Sequence, residues 1–244
     1  MNKLPPLTVS FWVMKICATT LGETAGDLLS MTLGVGYAVS SLILFGTFAL
    51  TLAGQLSAKE HRPWLYWSVI LSTSTAGTTM SDYMDRTLGL GYAKGSCILL
   101  ALLLTVLASW RSTGESLSVS EIKTFKVEAL YWTAILFSNT LGTALGDFLA
   151  DDSGLGFAGG ALLIGVLLTL VVAATYLTQA SKVVLFWAAF ILTRPFGATL
   201  GDVLTKTRDK GGIGFGTVGS SAVLAAVLVA AVVHATRRQG REPG

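Results

Sequence analysis

FWVMKICATTLGETAGDLLSMTLGVGYA, residues 11–38, decides the fold, because its landmarks recur three more times along the chain. Counted back from Asp27, an aromatic-Trp pair lies at 16 and 15 residues and a glycine at 5, and another glycine comes directly before the acid. Asp82, Asp147 and Asp202 carry the same frame: Tyr66-Trp67, Tyr131-Trp132 and Phe186-Trp187; Gly77, Gly142 and Gly197; then Ser81, Gly146 and Gly201. A glycine loop follows each acid: GVGYA from 34, GLGYA from 89, GLGFA from 154 and GIGFG from 212. Self-similarity at a fixed period marks a repeat architecture. The acids are spaced 55, 65 and 55 residues apart, so the two halves superpose at an offset of 120, and only the last loop, with KTRDK at 206–210, reads as three residues longer.

The repeats lie in a membrane. Of 244 residues, 52% are hydrophobic and 13% charged, with a mean hydropathy of +0.66, whereas about a quarter of a soluble domain is charged. Apolar windows near the roughly 20 residues that cross a bilayer predict eight spans, at 9–30, 36–56, 64–84, 92–110, 127–149, 157–178, 183–204 and 215–236. The first carries Lys15, Glu23 and Asp27 and has no cleavage site, so it reads as helix one rather than a signal peptide. Two spans per copy make every copy enter from the same side. The expected fold is all-α: a polytopic protein of eight transmembrane helices in four parallel two-helix repeats, with halves at 1–120 and 121–244 joined by the polar connector RSTGESLSVSEIKT, 111–124.

Basic residues set the orientation. Ten (Lys3, Lys59, Arg62, Arg111, Lys123, Lys126, Lys182, Arg237, Arg238, Arg241) lie on the side of the termini, against Arg86, Lys206, Arg208 and Lys210 opposite. The asymmetry predicts cytoplasmic termini. It also accounts for the net charge of +3, and no basic stripe interleaved with aromatics points to nucleic acid. Cys17 and Cys97 read as packing residues, His61 and His234 as interfacial, and Trp64 and Trp110 as belt aromatics.

Within each first helix the pairs Gly22/Gly26, Gly77/Ser81, Gly142/Gly146 and Gly197/Gly201 form small-xxx-small patterns that let helix backbones approach closely. They are expected to gather Asp27, Asp82, Asp147 and Asp202, each about 22 Å beyond its Trp at 1.5 Å per residue. A bland role for each acid is to cap its own glycine turn. Glu23 is not part of the repeat: its counterparts are Thr78, Thr143 and Ala198, and it shares a helix face with Asp27. Thr20, Thr24, Thr75, Thr79, Asn139, Thr140, Thr143 and Thr199 add oxygens at similar levels. Carboxylates with hydroxyl and amide oxygens suit a hard divalent cation. Lys15 and Arg194, embedded in the first helices of copies one and four, are the expected counter-ions. Asp85, Asp151, Asp152 and Asp209 read as solvated turn acids.

With its TLGETAGD, TLGTALGD and FGATLGD forms, the chain resembles a bacterial membrane family catalogued as a repeat of unknown function, often labelled uncharacterised membrane-anchored protein. The resemblance spans nearly the whole chain and implies a four-repeat integral membrane architecture in the bacterial inner membrane. A fainter similarity joins Glu23-x-x-Gly26-Asp27 to calcium/manganese and proton antiporters carrying E-x-G-D-[KR]-[ST], although here Leu28 and Leu29 follow the acid. Signatures of hydrolases, nucleotide-binding loops and intramembrane aspartyl proteases are missing. The sequence therefore predicts a non-enzymatic secondary transporter or exporter of a small divalent cation of the manganese, magnesium or calcium type, coupled to protons. Its partners would be lipid and cation or proton, a homo-oligomer is compatible, and no cofactor is required beyond a bound divalent cation. The alternative is a nontransporting scaffold or sensor whose aspartates close turns.

Overall fold

A computed structural model describes residues 4–122 and 124–239; Lys3, Lys123 and Arg241, counted in the charge asymmetry, lie outside the described residues. Among these there are no strands, and eight long helices run α1 Val9–Asp27, α2 Tyr37–Ser57, α3 Pro63–Asp82, α4 Tyr92–Ser112, α5 Phe125–Asp147, α6 Gly156–Leu177, α7 Lys182–Thr205 and α8 Thr217–Gln239. Their starts follow local chemistry. The Thr8 and Thr124 hydroxyls accept the N–H groups of Phe11 and Val127, and Pro63 opens α3, where its missing N–H costs nothing. One turn of π-helix extends α1, α3 and α5 at Leu28–Thr32, Tyr83–Thr87 and Phe148–Asp152.

The helices divide by polarity. The odd-numbered ones bury most of their threonines, serines and acids, whereas α2, α4, α6 and α8 expose leucines and valines such as Leu42, Leu104, Leu162 and Val229. Five helices, α2, α4, α6, α7 and α8, are long and apolar enough to cross a bilayer, so the chain is a multi-pass membrane protein. α1, α3 and α5 fall short on hydropathy because their polar side chains face one another instead of lipid.

Packing explains that arrangement. α1 packs on α3, α3 on α5, α5 on α7, and α7 on α1, which closes a ring. Each even-numbered helix lies chiefly on the odd-numbered helix after it, α2 on α3, α4 on α5 and α6 on α7, while α8 returns to α1. A repeat is thus completed by its neighbour. Small residues lie where the helices approach: the absent Cβ positions of Gly22, Gly77, Gly142 and Gly197 fall against Ser74, Asn139/Thr140, Arg194 and Thr19 of the next helix round.

The glycine loops turn the chain back. Both glycines of Gly34-Val35-Gly36 have positive φ, 69° and 81°, a region open to glycine without strain. The Val35 and Gly36 N–H groups donate to Leu29 and Ser30 carbonyls of the preceding turn. In the last copy the positive-φ pair is Gly214 and Gly216, directly before α8. The last loop is therefore five residues longer than Asp27-to-Gly36, not three, because GIGFG holds three glycines and fits two registers.

Trp110 departs from the expected belt position. Trp67, Trp132, Trp187 and Trp110 are buried, and they form a collar with Phe11, Tyr66, Tyr131 and Phe186 at the N-terminal end of the ring; only Trp64 keeps the exposure of a belt residue. Cys17 packs against α8, its thiol donating to the Leu224 carbonyl, whereas Cys97 is exposed rather than packed.

Candidate functional site

Residues spaced four apart on each odd-numbered helix meet their counterparts around the ring, giving a ladder of layers. At the collar end the Tyr66 and Tyr131 hydroxyls hydrogen-bond at 3.0 Å. Four residues on stands Lys15, whose counterparts are Ile70, Ile135 and Phe190. Its Nζ lies 4.1 Å from the Phe190 ring centre and donates to Asn139 Oδ1 at 3.4 Å, while the Asn139 amide donates to Thr73 Oγ1 at 2.8 Å. Lys15 therefore meets an amide and an aromatic face, not the carboxylate expected of a counter-ion.

One turn further, Arg194 fills the ring from wall to wall. Fully buried, it donates through Nη1 to Glu23 Oε2 at 3.0 Å and the Thr19 carbonyl, and through Nη2 to Thr143 Oγ1 at 2.7 Å, Thr78 Oγ1 and the Ser74 carbonyl. Thr78 and Thr143 hydroxyls in turn reach Glu23 Oε2 at 3.2 and 3.3 Å. A buried guanidinium with its planar fork of donors suits such multivalent holding. Arg194 is thus the counter-ion of Glu23.

The four aspartates close the ladder. Arg86 Nε stands 2.9 Å from Asp82 and its Nη2 3.1 Å from Asp147; Lys206 Nζ stands 3.1 Å from Asp202 and 3.3 Å from Asp27. Each base follows an aspartate by four residues, so it shares that face of the helix. Counting charges by topology assigned both to outer loops and missed them, although the spacing was there to read. None of Asp27, Asp82 and Asp147 makes a side-chain cap to the turn that follows. The turn amides already bond helix carbonyls, so the acids are free to face the axis. One oxygen each from Glu23, Asp147 and Asp202, all buried, lie within 4.8 Å of one another.

The predicted oxygen lining divides. Thr143 and Asn139 join the ladder, whereas Thr20, Thr75, Thr79, Thr140 and Thr199 return their hydroxyls to carbonyls of their own helices, and Thr24 does the same while accepting from Ser221 of α8. Thr19, Thr73, Ser74 and Thr78 were not in the predicted lining. Of the turn acids, Asp85 is buried rather than solvated, accepting from Ser81 at 3.2 Å beside Gly95; Asp151 accepts from the Tyr92 hydroxyl at 3.4 Å.

Lys15 gives a direct check. Ionised, it is a buried charge with one amide acceptor, an expensive arrangement. Lys15→Ile, copying Ile70 and Ile135, is expected to raise the melting temperature in detergent by several degrees; a fall would mean that the amide and ring contacts outweigh burial of the amine.

Residues 10–61, 65–116, 130–181 and 185–241 each match a family described as Repeat of Unknown Function (DUF347). No curated protein and no solved structure matches the chain.

Proposed function

The chain belongs to this repeat family, and we propose that it is a non-enzymatic secondary transporter or exporter of a small divalent cation, of the manganese, magnesium or calcium type, exchanging it for protons. In this reading all eight helices span a bacterial inner membrane as four parallel two-helix repeats with cytoplasmic termini. The collar faces the cytoplasm and the aspartates lie toward the opposite side.

The approach of three buried carboxylate oxygens from three helices, Glu23 on α1, Asp147 on α5 and Asp202 on α7, carries the proposal. Hard oxygens at such separations suit a divalent cation that keeps part of its water shell. The ladder holds five acids against Arg194, Arg86, Lys206 and Lys15. Arg86 and Lys206, placed in outer loops by the sequence, belong to it, so its formal excess is one negative charge, and two with Lys15 neutral. A divalent cation or two protons would balance an excess of two. Arg194 acts as a tethered cation that holds Glu23 until substrate or proton takes its place.

Flux into liposomes tests this. Asp147→Asn is expected to abolish manganese, magnesium and calcium transport in a protein that still folds, and normal flux would overturn the assignment. A second reading, an ion-stapled scaffold, is favoured by the fact that Glu23 and all four aspartates have a basic partner. It predicts that Asp147→Asn loses thermal stability and that no divalent cation shifts the melting of the parent protein.

A further inference from the structure

We infer that Lys206 is the mobile gate through which a cation reaches the acids, and that Arg86 is its fixed counterpart. This deepens the transport reading and rests on it. The four positions following the repeat aspartates by four residues are Met31, Arg86, Asp151 and Lys206, so bases alternate with residues unable to neutralise an acid. Each base joins its own aspartate to that of the next repeat: Arg86 across α3 and α5, and Lys206 across α7 and α1. Those are the two seams between residues 1–120 and 121–244. Among the described residues no such pair crosses the seams inside each half, between α1 and α3 or between α5 and α7, at this level.

Exposure makes the bases the outward face of the ladder. The Arg86 and Lys206 side chains are 32% and 22% exposed, while the acids they hold are 5% or less. An arriving cation meets a base first, and it reaches a carboxylate by displacing one.

The two bases are not held alike. Arg86 adds a hydrogen bond to the Tyr37 hydroxyl at 3.3 Å and lies between the Tyr37 and Tyr92 rings, 6.0 and 5.7 Å from their centres. A planar guanidinium fixed by two acids and two rings has little freedom to leave. Lys206 has the two carboxylates and a flexible four-carbon stem. Each base holds one member of the acid cluster, Arg86 through Asp147 and Lys206 through Asp202, so release of Lys206, the less restrained of the two, frees one of the three carboxylates together with Asp27.

The test compares matched substitutions in the full chain. Lys206→Met, which installs the residue of copy one, removes a tethered competitor. It is expected to tighten manganese, magnesium or calcium binding by tenfold or more, read by thermal shift titration, whereas Arg86→Met, which also gives up the Tyr37 and Tyr92 contacts, is expected to lower the melting temperature more than Lys206→Met does. Lys206→Arg, which keeps charge but adds donors, is expected to slow flux. No affinity gain in Lys206→Met, or a fall in its melting temperature as large as that of Arg86→Met, would overturn the assignment of the gate. Thiol labelling reads the gate without transport: Lys206→Cys should react with an aminoethyl methanethiosulfonate faster than Arg86→Cys, and the added amine should return cation affinity to the parent value. If neither the parent nor any variant binds a divalent cation, the transport reading falls while the labelling rates still decide which base moves; equal rates would sink the gate.

Discussion

Arg194→Met is expected to cost about 3–5 kcal/mol, the range seen when one partner of a buried ion pair is removed and the other is left in place. The guanidinium is the group on which α1, α3 and α5 converge around α7, through Glu23, Thr19, Ser74, Thr78 and Thr143. Removing it leaves a buried carboxylate with two threonine hydroxyls and two carbonyls short of a donor. For a chain of this size a loss of that order lowers the melting temperature by roughly 10 °C. The companion result identifies the cause. Glu23→Thr/Arg194→Met deletes both charges and gives α1 the residue of copies two and three, so it should recover most of the loss, and the two single losses together should exceed that of the double variant. A double variant no better than Arg194→Met would show that the arginine acts through packing and its carbonyl contacts rather than through its charge.

That layer also shows what a linear reading can and cannot see. The recurrence of Trp, Gly and Asp exposed the repeat, and the small-xxx-small pairs could be read the same way, because both are fixed by spacing along one helix. Glu23 and Arg194 stood out as charges their counterparts lack. The choice of partner was less legible: Thr78 and Thr143 turn toward Glu23 while Thr79 and Thr140 bond their own helices, a decision made by rotamer and neighbour. Arg86 and Lys206 were hidden by a rule that scores charges by the side of the membrane, while their placement four residues after an acid carried the information. The docking of each outer helix on the following repeat left no trace, since a helix apolar all round, such as α6, does not reveal which face is covered.

Gly77→Ala tests whether the ring depends on close approach of backbones. A Cβ at residue 77 would stand 3.0 Å from the Thr140 nitrogen, 3.1 Å from the Asn139 carbonyl carbon and 3.2 Å from Asn139 Cβ. The first two are backbone atoms, which cannot swing aside, so α3 and α5 must separate along a seam that joins the two halves. Separation stretches the Asn139 to Thr73 bond and draws Arg86 from Asp147, and overpacking of this kind costs about 1–3 kcal/mol before those losses. Gly46 in α2 is the control, with nothing within 4 Å of its Cβ position; Gly46→Ala should stabilise by about 0.5–1 kcal/mol through helix propensity alone. Opposite shifts in melting temperature for the two alanines would locate the constraint in the ring. A loss at Gly46 matching that at Gly77 would mean that glycine is needed along these helices for flexibility, and contact between neighbouring backbones would not be what holds the acids together.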